Sequence, residues 1–238
     1  MLTETDNEAY LSLAGDRPWR QWFCRSDCDT HLWVLIYSGP IGDVLWHRNR
    51  TKVYFTKREL FVLDPVVDMV YEPVESGKAL ALDEANDKLY LVDSLERLIK
   101  VIECENDTKA VEIPVYAGRV TLCWNQVENK LYVVHDGLHR LYVIDCTTDT
   151  IIRALSTNLN PNCLLINEAD NRLYVIENST ASVIDCSANT VVTTIPVGAS
   201  PYRISTYDIT GKDLRGWHSG VTVRQLCHMG WEGCEERL

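Results

Sequence analysis

The chain has 238 residues, of which 46% are hydrophobic and 24% charged, and its formal net charge is −11. This composition supports one or two folded domains and excludes a disordered or collagen-like chain. The negative charge and the lack of any run of Lys and Arg argue against nucleic-acid binding, which needs clustered cations.

Neither a membrane span nor a secretory signal is predicted. The longest apolar run covers residues 32–37, which is far shorter than a transmembrane helix. The first nine residues include Glu4, Asp6 and Glu8 and lack the basic start and apolar stretch of a signal peptide.

Residues 1–40 are predicted to be a divergent N-terminal segment. Within it, residues 29–36 have the composition of a turn followed by one strand. That pair matches the end of the repeat described next, so the segment is expected to hold a partial repeat. The first strands of that repeat, near residues 19–23, cannot be recognised.

From residue 41 onward the sequence repeats itself, with a period of about 40 residues that lies in the range of repeat architectures. A segment of the type Asn-Lys-Leu-Tyr-Val recurs three times with a looser fourth copy, and a second segment of the type Val-Ile-Asp-Cys keeps step with it. The shared period indicates a repeat architecture over residues 41–201. The tyrosines of the first segment are Tyr54, Tyr90, Tyr132 and Tyr174, and the acidic residues of the second are Asp64, Glu103, Asp145 and Asp185.

Each repeat holds four short segments rich in Val, Ile, Leu and Tyr, which favour strands over helices. Clusters of Asn and Asp, such as residues 83–87 and 167–171, separate the segments and favour tight turns. Four antiparallel strands at a period near 40 are typical of a propeller blade. The predicted fold class is therefore all-β, a β-propeller of four-stranded antiparallel blades, with about four readable blades and a partial one.

These residues resemble the YVTN family of β-propeller repeats over about residues 44–201. The best copy carries Leu-Tyr-Val at 173–175, Val-Ile-Asp at 183–185, Ala-Asn-Thr at 188–190 and Ile-Pro-Val-Gly at 195–198, followed by Pro201. The resemblance implies the fold and no particular activity. Propellers usually have more blades than the four recognised here. A small ring, an open arc, a fragment and half of a homo-oligomer are therefore all left open.

Residues 202–238 are predicted to be a C-terminal β tail. Residues 204–212 and 231–233 resemble the start and middle of the sorting domain used in type IX secretion, which implies export to the cell surface. The alternatives are an ordinary edge hairpin and a degenerate last repeat.

The nine cysteines do not suggest a disulfide framework. Cys104, Cys146 and Cys186 fall at the same place in successive repeats, and Cys123 and Cys163 share another place. Equivalent atoms in packed sheets lie about 10 Å apart, whereas a disulfide needs Cα atoms within about 7 Å. These cysteines are expected to be free and to pack as small apolar residues.

No metal site or cofactor is assigned, although two groups of residues are candidates for a metal. Cys24, Cys28 and His31 are closely spaced, and the cysteines and histidine between residues 227 and 234 would complete a site or a disulfide if the chain ends meet. The second group is His135 and His139, in the turn between the second and third strands of one repeat. A solvated turn is the alternative there, because the neighbouring repeats have no histidine in this turn.

The sequence contains no calcium loop, nucleophile elbow, phosphate loop or haem-attachment motif. It therefore predicts a non-enzymatic propeller that binds a protein or surface ligand or serves as a scaffold. The alternative is a propeller enzyme of the lyase or hydrolase type, with His, Asp or Glu converging at a central channel. The ligand is not identified, and a secreted or cell-surface location rests on the C-terminal motif alone.

Overall fold

The computed structural model describes residues 42–115, 120–157 and 161–198, apart from residues 65, 66, 68, 136, 137 and 162, together with six backbone strands outside these ranges. In this part of the chain the secondary structure is strand and turn without helix. Accordingly, no helix in it could serve as a membrane span. The chain divides into two compact units, Met1–Val115 and Tyr116–Leu238.

Unit 1 begins with sheet 1, an antiparallel meander in which each strand pairs with the next. The sequence allowed only the last of its strands to be recognised, and the structure adds the three before it, so this repeat has four strands. The strands are β1 (Leu2–Glu4), β2 (Glu8–Ala14), β3 (Gln21–Asp27) and β4 (Trp33–Ser38).

Sheet 2 departs from the regular repeat because its last strand is split into two short pieces. Both pieces pair with β7, one at each end of that strand. Pro73 lies between them, and proline has no N–H for a continuous ladder. The strands are β5 (Val44–His47), β6 (Lys52–Thr56), β7 (Glu59–Asp64), β8 (Met69–Val70) and β9 (Glu75–Ser76).

Sheet 3 completes unit 1 and is a regular four-stranded meander. Its first strand lies beside β5, and β5 in turn lies beside β1. Successive sheets of this unit are thus neighbours along their first strands. The strands are β10 (Ala79–Asp83), β11 (Lys88–Asp93), β12 (Leu98–Glu103) and β13 (Thr108–Pro114).

Unit 2 contains sheets 4 and 5, two further four-stranded meanders, and a short parallel pair of strands. Here β14 lies beside β18, and β18 lies beside β22. Sheet 4 is β14 (Val120–Asn125), β15 (Lys130–His135), β16 (Arg140–Asp145) and β17 (Thr150–Ser156). Sheet 5 is β18 (Cys163–Asn167), β19 (Arg172–Glu177), β20 (Thr180–Asp185) and β21 (Thr190–Pro196), and the parallel pair is β22 (Ile204–Ser205) and β23 (Val221–Thr222).

The turn between the first and second strands has the same geometry in sheets 3, 4 and 5. It ends on Asp87, Asn129 or Asn171, whose φ angles are 58°, 51° and 50°. Asp and Asn tolerate this left-handed region better than most side chains. The fixed turn sets the strand register, and with it which residues face the next sheet.

The core of each unit forms where two sheets pack face to face. In unit 1, one apolar cluster joins residues of sheet 2, such as Tyr54, to residues of sheet 3, such as Leu89. In unit 2, an equivalent cluster joins Tyr132 of sheet 4 to Leu173 of sheet 5. The second strands are therefore buried on both faces, which explains why they consist of nearly continuous apolar residues.

Candidate functional site at the sheet junctions

The one group of three potential metal ligands among the described residues lies where sheets 2 and 3 meet. His47 is the last residue of β5, Asp87 ends the β10–β11 turn, and Cys104 begins the turn after β12. One ligand atom from each lies within 4.8 Å of the others. We call the polar contacts between these two sheets the sheet 2–3 junction.

The carboxylate of Asp87 is the centre of this junction. His47 donates from Nε2 to Asp87 Oδ1 at 2.8 Å, and Arg50 donates from Nε to both carboxylate oxygens at 3.0 Å. These bonds, from Arg50 first and from His47, lower the pKa of Asp87. His47 is fully buried, and its Nδ1 has no hydrogen-bond partner among the described residues.

The backbone N–H and carbonyl of Cys104 both take part in hydrogen bonds between the two sheets. Its N–H donates to the Asp87 carbonyl at 2.9 Å, and its own carbonyl accepts from Lys52 Nζ at 2.9 Å. Lys52 also contacts Asp107 Oδ2 at 2.6 Å, and the Tyr54 hydroxyl donates to Asp107 Oδ1 at 2.7 Å. Burial raises the pKa of the Cys104 thiol to about 12, against a smaller opposing effect of its hydrogen bond with Tyr54.

Cysteine, histidine and aspartate together are the residues of a nucleophilic triad or of a metal site. A catalytic thiol, however, needs a lowered pKa and access to substrate, and Cys104 has a raised pKa and no exposed surface. A metal ion would have to compete with the guanidinium of Arg50 for Asp87. This arrangement is suited to holding two sheets together, and it is poorly suited to either chemistry.

Unit 2 repeats the same arrangement at the sheet 4–5 junction with amides in place of His47 and Asp87, and with Glu128, which accepts from Asn171 Nδ2 at 2.7 Å, in place of Arg50. Asn125 takes the place of His47 and donates to Asn171 Oδ1 at 3.0 Å, where Asn171 takes the place of Asp87. Lys130 Nζ donates to the Cys186 carbonyl at 3.0 Å, as Lys52 does to that of Cys104. The bonds between the sheets are therefore kept although the ionisable base is absent.

The tyrosines of the two junctions also correspond. The Tyr132 hydroxyl donates to the Cys186 carbonyl at 3.3 Å and lies 3.2 Å from the side-chain amide of Asn189. Asn189 occupies the left-handed turn position, with a φ of 51°, as Asp107 does with a φ of 57°. In both units, then, a buried tyrosine of one sheet bonds the turn of the next.

A second polar cluster surrounds Lys100, which is only 1% exposed. Its Nζ contacts Asp93 Oδ2 and Glu75 Oε2 at 3.0 Å and Glu96 Oε2 at 2.7 Å, and it donates to Ser76 Oγ at 2.8 Å. Glu75 and Ser76 form β9, so the split last strand of sheet 2 supplies two partners for a lysine of sheet 3.

The charges of this cluster stabilise one another. Burial opposes ionisation of Asp93, yet its hydrogen bonds with Ser76, with the Glu96 N–H and with Lys100 lower its pKa to about 2. Burial likewise favours the neutral form of Lys100, but its bonds to Glu96, Asp93 and Glu75 outweigh that effect and raise its pKa. Both shifts keep the groups fully charged at neutral pH, whereas an acid or base in catalysis needs a pKa near the working pH.

The metal candidates named from the sequence fall partly outside the described residues. Cys24 lies on β3, of which only the backbone is described, and Cys28 and His31 lie outside the described residues. His135 is the last residue of β15 and is 2% exposed, which corrects the expectation of a solvated turn at that residue. His139 is partly buried in the turn itself, and no third ligand joins these histidines within the described part of the chain.

Sequence reasoning did not predict that the residues of either cluster come together. His47, Asp87 and Cys104 are far apart along the chain and come together only through the stacking of two sheets. Comparing equivalent positions across the repeats would have flagged His47, since the other repeats carry Asp or Asn there. Lys100 would have been flagged in the same way, because it interrupts an apolar strand.

Comparisons with known proteins identify the fold and no closer relationship. No protein-family model matches the chain, and no curated protein matches its sequence. Among solved structures, a chain of the mitotic checkpoint complex aligns with a TM-score of 0.66 at 9% identity, covering 82% of this chain and 62% of that one.

Two further solved structures are similar. Dihydro-heme d1 dehydrogenase NirN, in complex with DHE, aligns with a TM-score of 0.63 at 15% identity over 76% of this chain and 43% of its own. Hydrazine synthase of Kuenenia stuttgartiensis aligns with a TM-score of 0.55 at 16% identity over 62% and 46%. The chain spans about half the length of the solved chains it matches, and identities this low show the fold alone.

The repeated four-stranded antiparallel sheets and these structural neighbours define the class. The chain is an all-β protein of the β-propeller type, as its sequence predicted. The neighbours include enzymes and a subunit of a regulatory assembly, so membership of the class does not fix an activity.

Proposed function

We propose that this chain is a non-enzymatic β-propeller scaffold, built of YVTN-type repeats, that binds a protein or surface ligand. The observation that carries this proposal is the repetition of the junction. Where unit 1 has His47, Asp87 and Cys104, unit 2 has Asn125, Asn171 and Cys186 making corresponding contacts. Both sets lie between two sheets, but only the set in unit 1 includes a histidine that could act as a base.

Support for the YVTN assignment comes from the recurring elements of residues 44–201 and from the turns that carry them. Asp107, Asp149 and Asn189 take positive φ at the same point of the turn before the last strand. This is the position of the central Asn in the Ala-Asn-Thr turn of residues 188–190. The repeats of this chain therefore share a turn conformation as well as residue types, which supports the proposal.

The division into repeats at 41–201 with flanking segments 1–40 and 202–238, and export to the surface, are predictions from the sequence. The sorting-domain motif lies outside the described residues except for Ile204 and Ser205. No observation among the described residues favours the alternative of a lyase or hydrolase, because the two polar clusters found there are held by internal bonds.

The reactivity of Cys104 in the native protein tests the non-enzymatic part of the proposal. The native chain would be treated with iodoacetamide at pH 7, and labelling at each cysteine would be followed by mass spectrometry. Because the Cys104 thiol is buried with a pKa of about 12, we expect it to stay unmodified until the chain is unfolded. Cys186, at the same position in unit 2 and without a neighbouring histidine, is the matched control.

The two outcomes differ clearly. Equal protection of Cys104 and Cys186 agrees with a purely structural junction. Selective labelling of Cys104 in the folded protein, faster than its labelling in urea, would show an activated thiol and would refute the scaffold proposal.

A further inference from the structure

The last strands of sheets 3, 4 and 5 are edge strands that differ in their final residue. β13 and β21 end on Pro114 and Pro196, whereas β17 ends on Ser156 at the corresponding place. In all three sheets this residue lies opposite the first residue of the third strand. Because proline has no N–H, β17 carries a backbone donor that the other two edge strands lack.

This donor points away from the sheet. The next residue, Thr157, donates inward to the His139 carbonyl at 2.8 Å, and neighbouring residues of an antiparallel strand alternate between inward and outward bonding groups. The bulge in β17 lies before Arg153, so the alternation holds through residues 153–157. The N–H and C=O groups of Ser156 and Ala154 therefore face outward. Among the described strands, β17 pairs only with β16.

The side chains of β17 are exposed as well. Every residue of the strand except Leu155 is exposed, and Ile151 and Ile152 are 40% and 48% exposed. β21 exposes two valines to a similar extent, but proline removes one of its outward donors. An exposed edge strand with free backbone groups is a template for pairing with another chain, and of these three strands β17 is the one without proline.

The charge at this edge is positive and has no internal counter-charge. Arg153 lies within β17, and Arg140 begins the neighbouring strand β16. Both side chains are exposed, and neither forms an ion pair with a described residue. On β13, by contrast, Lys109 meets Glu112 at 2.7 Å. A chain with a net charge of −11 thus keeps two unneutralised cations beside its open backbone groups.

We propose that β17 is a docking site for an extended acidic segment of another protein, which adds to sheet 4 as a fifth strand. The outward backbone groups of β17 bind the main chain of that segment, as in other cases of strand addition. Its apolar side chains contact the two exposed isoleucines, and its carboxylates meet the two arginines. The positive edge disfavours a basic segment, and the negative net charge of the chain disfavours a second copy. This inference names a site and a partner chemistry for the proposed protein-binding role, and it rests on that role.

Peptide binding to the full chain tests the proposal. The probe is a fluorescein-labelled peptide with a core of alternating valine and threonine and two glutamates at each end, and fluorescence anisotropy measures its dissociation constant. Ser156→Pro gives β17 the residue that β13 and β21 already have, so sheet 4 should fold as those sheets do, which urea denaturation checks. We expect this variant to bind the peptide about fivefold more weakly than the wild type, because one hydrogen bond is lost.

A charge reversal provides the second arm. Arg153→Glu should weaken binding of the glutamate peptide about fivefold and strengthen binding of the same peptide with lysines in place of the glutamates. Arg58→Glu changes the net charge equally at an exposed residue of unit 1 and should leave both affinities within about twofold. Equal effects of the two reversals would show that the net charge of the chain, and not this edge, attracts the peptide.

The remaining outcomes separate this site from the proposed function. Binding that Ser156→Pro leaves unchanged overturns the β17 site while a protein-binding role stands, and failure of the glutamate peptide to bind the wild type also overturns the site. Light scattering tests a second copy: a dimer that Ser156→Pro converts to the monomer mass of 27.2 kDa would make another copy of this chain the occupant and would overturn the proposal. Activated labelling of Cys104 would refute the scaffold role without any change at β17.

Discussion

Replacing Lys100 by methionine is the most informative perturbation of unit 1. Methionine keeps most of the apolar volume of lysine and removes only the ammonium group. In the native protein that group is 1% exposed and meets Asp93, Glu75 and Glu96 within 3.0 Å. The substitution thus leaves a carboxylate at Asp93, itself 3% exposed, without its cation.

The expected loss in the free energy of unfolding depends on the hydrogen bonds that Asp93 keeps after the substitution. Removing one partner of a buried ion pair costs about 3–5 kcal/mol. Asp93 would keep the N–H bonds of Leu95 and Glu96 at 3.0 and 3.1 Å and the hydroxyl of Ser76. We therefore expect a loss near the lower end of that range, about 3 kcal/mol in the free energy of unfolding, measured by urea denaturation followed by tryptophan fluorescence at pH 7.

Two further variants make this result specific. Lys109→Met removes a half-exposed lysine that bonds Glu75 at 3.3 Å and Glu112 at 2.7 Å, and it should cost less than about 1 kcal/mol, as surface pairs do. Adding Asp93→Asn to the Lys100→Met variant removes the isolated charge and should recover part of the loss. An Lys100→Met loss as small as that of Lys109→Met, or no recovery with Asp93→Asn, would contradict the reasoning.

The pH dependence of the same cluster has a definite sign. The folded pKa of Asp93, about 2, lies below its ordinary value of 3.8, so this group stabilises the folded state above about pH 4. Its contribution should disappear as the pH falls from about 4 towards about 2. In the Lys100→Met variant the carboxylate has lost its cation, and the difference from wild type in urea denaturation should shrink over this acidic range.

Two other substitutions test the packing of unit 2 by the same urea denaturation. Tyr132→Phe should lower the free energy of unfolding by about 1 kcal/mol through its lost hydrogen bonds, while Tyr174→Phe, which removes a hydroxyl without a hydrogen-bond partner among the described residues, should change it by only a few tenths; equal losses would contradict the assigned junction. Leu173→Ala should cost about 2–5 kcal/mol because this side chain is fully buried between sheets 4 and 5. Val192→Ala, at a 49% exposed position, should cost less than about 0.5 kcal/mol.

The strands were predictable from the sequence because the information for them is local. Leu-Tyr pairs such as Leu131 and Tyr132 mark the second strands of sheets 3, 4 and 5, and residues such as Asn129 mark the turn before them. The side-chain period and the turn conformation together fix the register without knowledge of any other repeat. β1 to β3 were not recognised because sheet 1 carries these marks only in part: Asn7 and Tyr10 stand before and within β2, but Ala9 replaces the leucine.

The polar clusters were not predictable in the same way because their members are distant in sequence. Lys100 has partners in β9, a short strand created by the irregular end of sheet 2. His135 was expected to be solvated within a turn, but it is the last residue of β15 and is buried. Such contacts depend on which faces meet, and the repeat period determines that only once the strand register is known.

The two junctions show how similar sheets can be kept in a defined order. Lys52 meets the carboxylate of Asp107, whereas the corresponding Lys130 meets the amide of Asn189. If sheet 3 were paired with a sheet like sheet 4, the carboxylate of Asp87 would lose the bonds of Arg50 and His47 and would meet an amide such as that of Asn125 instead. The Asp87 side chain is 32% exposed, so losing these ion pairs would cost less than it would for a buried charge, but each sheet is still a better partner for its own neighbour than for another sheet of the same shape. The choice of partner between sheets is thus a sufficient physical reason for the ionisable residues of unit 1.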